Sequence, residues 1–286
     1  MSKIVIVTDS TAAFPFETVG DVPIYSVPLN VIWGEENLKD GIDITVEQFY
    51  ERLPNEKANP STSQPSPKEF LDVFQPLLDD GKQIFCMLIS DKLSGTVNSA
   101  VQAKSLLGES SPITVFDTQS ASLGMDLQIN EVAKAINDGA TLAELLPIAE
   151  SARARTKVYF TVETLAFLIR GGRLSAIEGA AGTLLQIRPL LTLEDGKIES
   201  MSKTRTFKKA VKMLKGQVVT DLEGKQLANI AGAYTNNSEF VHKTMHEVCD
   251  DLGVPMPSEN LIMPLSPVIG THTGPGAFGI AYMLEE

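Results

Sequence analysis

The feature that most constrains this chain is a repeated alternation in its first half. Short apolar runs rich in β-branched residues, at 3–8, 24–32, 83–89 and 113–116, are separated by stretches with helical spacing. Residues 45–53 read as one such helix. A second carries Phe70, Val73, Phe74, Leu77 and Leu78 at i, i+3, i+4, i+7 and i+8, a single buried stripe, and stops at Asp80-Gly81. Two more span about 97–107 and 124–137. Residues 61–67, polar and punctuated by prolines, read as the loop that opens the second helix. Strands alternating with helices of this length build βαβ units, so the expected fold is α/β with a mainly parallel first sheet.

A further helix over 143–154 closes this unit. The pattern beyond it predicts strands at 158–161, 227–234 and 279–284, a shorter apolar run at 261–265, and a helix at 239–252. Residues 187–193 and 197–202 flank Asp195-Gly196, the dipeptide signature of a two-residue hairpin turn. A length of 286 residues suits two domains. The reading is therefore two α/β domains, 1–155 and 156–286, large enough to bury a core without disulfide or metal support.

Charge and cysteine usage remove several functions. Twenty-four Lys and Arg stand against 36 Asp and Glu, a net charge of −12. Nucleic-acid binding is not expected of such a chain, since it needs a basic face. Cys86 and Cys249 are far apart and Cys86 lies in an apolar run, so neither a disulfide framework nor a zinc knuckle is on offer. No apolar stretch reaches 18 residues, and residues 4–7 are too short for the core of a signal peptide. The expected location is the cytoplasm, with no membrane span.

Named catalytic motifs are mostly missing. Gly274, Gly276 and Gly279 match G-x-G-x-x-G, but that fingerprint must open a helix inside a βαβ unit, and here a strand follows. His242 and His246 share a helix face at metal-ligand spacing. Without a third ligand they read as a solvated pair, and no metal is expected. More informative are polar clusters at the ends of strands or the starts of helices: Asp9-Ser10-Thr11, Thr62-Ser63, Ser94-Gly95-Thr96 and Asp117-Thr118. Each one alone is an ordinary helix cap. Gathered at the carboxyl ends of a parallel sheet they would form a polar crevice suited to an anion. Gly171-Gly172-Arg173 and the Gly/Pro loop 270–276, which carries His272, add cations from the second unit, although both also read as surface turns. Residues 202–215 hold Lys203, Arg205, Lys208, Lys209, Lys212 and Lys215 with no acid, a solvated face or a docking surface for an acidic partner.

Taken in order, Val7-Thr8-Asp9-Ser10-Thr11, Thr62-Ser63-Gln64-Pro65-Ser66, Leu93-Ser94-Gly95-Thr96, Asp117-Thr118, Gly171-Gly172-Arg173-Leu174 and His272-Thr273-Gly274-Pro275-Gly276 resemble the DegV family across the whole chain. Its better-understood members are the fatty-acid-binding subunits of bacterial fatty acid kinase. The resemblance implies a carrier rather than an enzyme, with no cofactor and one long-chain fatty acid bound at the domain interface. It places Thr62 and Ser94 on the carboxylate, with Gly95 and Thr96 beside them, Arg173 and His272 near the head group, and Arg205 where a separate ATP-binding kinase subunit docks. That subunit would form an acyl phosphate feeding phospholipid synthesis, with at most transient membrane contact by the carrier. Ser61 ahead of Thr62 is the one departure from the family pattern.

Apolar residues 165–169 and 183–187 are the expected walls of the tail slot, or ordinary core. Two readings of another kind stay open: a self-sufficient acyl hydrolase or transferase using Ser94 and His272, and a lipid-sensing regulatory module.

Overall fold

The structure, a computed structural model, describes residues 3–13, 17–56, 58–174, 187–235, 237–258 and 261–286. Its first sheet has the order β2-β3-β1-β7-β8, formed by β1 (Ile4–Asp9), β2 (Thr18–Val19), β3 (Val22–Val27), β7 (Gln83–Leu88) and β8 (Ile113–Asp117). All pairings are parallel except the short β2 edge. Every residue of β1 is buried, as a strand covered on both faces requires.

The period of two sorts its side chains between those faces. Val5 and Val7 pack with Phe70, Phe74 and Ala100 on helices α2 (Pro67–Asp79) and α3 (Thr96–Leu107). Ile4 and Ile6 pack with Met125, Ile129 and Leu145 on α4 (Leu123–Asn137) and α5 (Leu142–Arg155). The start of α2 is fixed by a capping box between Ser66 and Glu69, with Pro67 in the first turn.

The second sheet, ordered β11-β10-β9-β14-β12-β13, is built from β9 (Thr156–Thr161), β10 (Arg188–Glu194), β11 (Lys197–Thr204), β12 (Leu227–Tyr234), β13 (Ile262–Pro264) and β14 (Phe278–Leu284). It is antiparallel apart from the β12–β13 pair. One face is covered by α7 (Phe207–Leu222) and α8 (Ser238–Leu252). The other meets Leu123 and Leu127 of α4, so α4 is shared between the two sheets.

The β10–β11 hairpin turns at Asp195 and Gly196, both at positive φ (48° and 78°), the backbone that an Asp-Gly turn supplies. Its tip docks on the loop after β7, where the Ser90 hydroxyl donates to the Gly196 carbonyl at 2.7 Å.

Three local expectations are corrected. Residues 24–32 are not one strand: the run breaks at Pro28, and its second half becomes β4 (Asn30–Trp33) in a separate antiparallel sheet, β5-β4-β6, with β5 (Glu36–Lys39). Burial on both sides of Pro28 hides the break from a hydropathy reading. Residues 61–63, read as loop, form β6 (Ser61–Ser63), paired with β4. Residues 270–273, the first part of the 270–276 stretch read as a Gly/Pro loop, belong to α9 (Pro267–Thr273), capped by Ser266. Gly270 serves packing there: a Cβ would lie 2.4 Å from the Tyr50 hydroxyl on α1 (Val46–Arg52). Among the described residues no helix is long and apolar enough to cross a membrane, and no group of three or more His, Cys, Asp or Glu could hold a metal.

Candidate functional site

Four of the residues singled out in the sequence line one cavity: Thr62 from β6, Ser94 from the loop before α3, Arg173 following α6 (Ala166–Arg170), and His272 from the last turn of α9. Their hydrogen bonds form two pairs. Thr62 Oγ1 and His272 Nε2 are 2.7 Å apart, and Ser94 Oγ and Thr96 Oγ1 are 2.8 Å apart. Arg173 spends two donors on backbone, Nε to the Leu93 carbonyl at 3.0 Å and Nη1 to the Gly171 carbonyl at 2.5 Å. It therefore joins the loop after β7 to the turn after α6.

Gly95 and Thr96 stand behind Ser94 rather than on the cavity wall. Gly95 is needed for a contact the motif alone did not reveal. A Cβ there would lie 2.1 Å from Gln64 Oε1, and the Gln64 amide donates to the Gly95 carbonyl at 3.1 Å and to Ser99 Oγ at 3.2 Å. Arg205 is exposed between β11 and α7 and does not reach the cavity. Lys203, Lys208, Lys209 and Lys212 are exposed around it, whereas Lys215 pairs with Glu247.

The imidazole of His272 is held neutral. Burial first, then the neighbouring Arg173 charge, lower its pKa to about 4. Burial also lowers the Arg173 pKa. Nδ1 of His272 is buried without a hydrogen-bond partner among the described residues, against Gly171, where a Cβ would lie 2.1 Å away. An N–H left unpaired in such a place costs more than a bare lone pair, so the proton belongs on Nε2, which donates to Thr62 Oγ1. The Thr62 hydroxyl proton is then free to point into the cavity.

From this polar end the cavity runs between the two sheets. Its walls come from Leu29, Ile89 and Leu93 on one side and Phe160, Ile280 and Ala281 on the other, and the hairpin adds Leu193 and Ile198. It is partly open to solvent and is lined almost wholly by apolar side chains. Of the expected wall 165–169, only Leu168 reaches it: Leu165 belongs to the core and Ile169 is 43 % exposed. Residues 183–186 of the other expected wall lie outside the described residues. The strand residues that do form the wall were not singled out in the sequence, because alternating apolar strands there are indistinguishable from core.

Three carboxylates are buried nearby; Asp9 lies in a cluster the sequence singled out, whereas Asp40 and Asp126 were missed. Asp9 accepts from the Thr11 N–H and hydroxyl and from the Ile89 N–H. Asp126 accepts from the Ala13 N–H, and Asp40 from the Ser10 hydroxyl. Burial raises the pKa of all three, that of Asp40 to about 7.

Comparison with known proteins places this geometry among relatives. A family model described as "Uncharacterised protein, DegV family" matches residues 3–285. A fatty-acid-binding DegV family protein from Thermus thermophilus is 33 % identical, covers 100 % of both chains and superposes with a TM-score of 0.88. A stearic acid-binding protein from Eubacterium ventriosum is 28 % identical over 99 % of this chain and 98 % of that one, TM-score 0.89. The fatty acid kinase B3 protein of Streptococcus pneumoniae, loaded with linoleic acid, is 24 % identical over 100 % of both chains at a TM-score of 0.84, a likeness of fold alone.

Proposed function

The chain belongs to the DegV family, and from that premise we propose that it is a cytoplasmic carrier of one long-chain fatty acid. The tail lies between two units, 1–155 and 156–286, and the carboxylate meets Thr62, Ser94, Arg173 and His272. The observation that carries this reading is the lining of one cavity: an almost wholly apolar wall that also takes in Thr62, Ser94, Arg173 and His272, with the Thr62–His272 and Ser94–Thr96 pairs at that place. A 16-carbon tail gains about 0.8 kcal/mol per buried CH₂, on the order of 10 kcal/mol before costs. A buried carboxylate costs several kcal/mol unless it is hydrogen-bonded. Hydroxyls supply those bonds. The Thr62 proton, oriented by His272 Nε2–H, points at one carboxylate oxygen, and Ser94, backed by Thr96, serves the other. Arg173, with two donors already committed to carbonyls, lends charge without clamping the carboxylate bidentately, which keeps the oxygens nucleophilic.

The second half of the proposal is presentation of that carboxylate to a separate ATP-binding kinase subunit, which would form an acyl phosphate for phospholipid synthesis. The resemblance of the whole chain to fatty acid kinase carriers motivates it, and the exposed cations around Arg205 give an acidic partner a place to dock. Hydrolysis by a Ser94–His272 pair is disfavoured, because Ser94 is bonded to Thr96 and His272 to Thr62, so nucleophile and base are not partnered.

Mass spectrometry of the denatured, extracted protein should find a long-chain fatty acid. Protein that is empty and also fails to take up oleate would end this reading. Thr62→Ala and Ser94→Ala should each weaken oleate binding by roughly 10- to 100-fold, the worth of one hydrogen bond to a charge. Arg205→Glu should leave oleate binding unchanged and lower the rate at which a kinase subunit phosphorylates the bound acid.

A further inference from the structure

Asp40 follows β5 and is 3 % exposed, yet it does not itself line the cavity. Its Oδ2 accepts from the Ser10 hydroxyl at 2.9 Å, and Ser10 Oγ in turn accepts from the Leu29 N–H at 3.0 Å. The Asp40 N–H donates to the Leu29 carbonyl at 2.9 Å. The Ser266 hydroxyl and the Val268 N–H, at the start of α9, lie near the same carboxylate and favour its charged form, and Val268 packs with Leu29. Asp40 therefore bonds the loop after β1 and the entry to β4, and borders the first turn of α9.

Both arms of the head-group site hang from these ties. α9 has only seven residues, so its position depends on what grips it. Besides Asp40, the Tyr50 hydroxyl holds the Leu265 carbonyl at 3.1 Å and Val268 packs among Leu29, Trp33 and Phe49. His272 sits at the far end of the helix. Thr62 is paired through β6 with Val31 of β4, the strand whose entry Asp40 and Ser10 secure.

No neighbouring charge favours a carboxylate at this place, although the Ser10 and Ser266 hydroxyls and the Val268 N–H do. Asp9 from β1 and Tyr50 from α1 face it, and no cation among the described residues pairs with it. Burial, aided by the Asp9 charge, raises its pKa to about 7. A buried acid without a cation is a poor device for stability alone.

Resting on the fatty-acid reading of the site, we infer that Asp40 is a positioning residue: it fixes α9 against β4, and so holds His272 in register with Thr62, without touching the ligand.

Delipidated wild-type protein, Asp40→Ala, Asp40→Asn and Ser10→Ala are titrated with oleate, and the His272 imidazole nitrogens are followed by NMR in the empty protein. Asp40→Ala is expected to weaken oleate binding at least tenfold and to shift the His272 signals. Asp40→Asn, which keeps an acceptor of the same shape, restores both to within about threefold and near the wild-type position. In a His272→Ala background the Asp40→Ala change adds no further loss. Should Asp40→Ala fail to fold, Ser10→Ala, which removes one tether only, is read in its place. Unmoved His272 signals with wild-type affinity, or losses that add fully in the His272→Ala background, overturn the proposal. Failure of the fatty-acid reading looks different: wild-type protein then takes up no oleate, while the His272 signals still report whether Asp40 positions the ring.

Discussion

The imidazole of His272 makes stability and site chemistry one question. Its pKa is about 4 in the folded protein against an ordinary 6.5, so between these values the unfolded chain binds more protons than the native one. The stability this His contributes is present in full above about pH 6.5 and is lost as pH falls toward 4, a change on the order of 3 kcal/mol. His272→Gln should flatten the fall in Tm over that range in an acid titration. Asp40 has the opposite sign: its pKa is raised to about 7, so its burial cost is felt in full above that pH and is relieved as pH falls toward 3.8. Relative to wild type, Asp40→Asn should therefore gain more in Tm at pH 8 than at pH 5.

Gly171 is the other residue with a sharp expectation. A Cβ 2.1 Å from His272 Nδ1 must move the ring, so Gly171→Ala should lose about tenfold or more in oleate affinity while Tm changes by only a few degrees, since the displaced group is at the site and not in the core. Thr62, Ser94, Arg173 and His272 were legible in the sequence because each sits in a short motif of unusual residue types. Asp40 was not: an Asp before a Gly reads as a turn, and only tertiary contact with α9, more than two hundred residues away, gives it a purpose.

Among the elements, legibility followed local consistency. α2 could be read because stripe, preceding polar loop and the Asp80-Gly81 stop agree, and the structure adds the Ser66–Glu69 capping box at its start. The β10–β11 hairpin could be read for the same reason, from Asp195-Gly196. The reading failed where packing overrides local signals. Glycine and proline over 270–276 suggest a loop, but α9 runs into it as far as Thr273: Pro267 occupies its first turn, where the missing N–H is harmless, and Gly270 lets α1 approach. β3 and β4 merged into one run because both are buried.

The hairpin also offers a test at this scale. Gly196 has φ of +78°, and a Cβ would lie 2.3 Å from Ser90 Oγ. Gly196→Ala should cost about 1–3 kcal/mol through backbone strain and the lost Ser90 bond, and should undock the tip that carries Leu193 and Ile198 over the cavity. Faster proteolysis within residues 193–198, with the first sheet still protected, is the expected signature.

At the level of the whole molecule the alternation of strands and helices announced the parallel sheet but could not announce its neighbour. The antiparallel order of the second sheet depends on which strands pair over long separations, and no local pattern encodes that. Nor could the cavity be read, since its walls are strand residues that would be core in any other protein. Filling it should have a global effect. Oleate at 100 times its dissociation constant should raise stability by about 2.7 kcal/mol, a Tm increase of about 4–5 °C for a chain of this size, measurable by calorimetry.

The position of that cavity, between two sheets that share α4 and are latched by Ser90 to Gly196 and by Arg173 to Leu93, bears on traffic as well as on grip. A tail lodged there would be an interior layer, and parting of the latches would widen its way out. Exchange should then run on the protein's own clock. Transfer of labelled oleate to acceptor vesicles should level off as vesicles are added, at a ceiling set by opening. Loosening the Ser90 latch with Ser90→Ala should raise that ceiling.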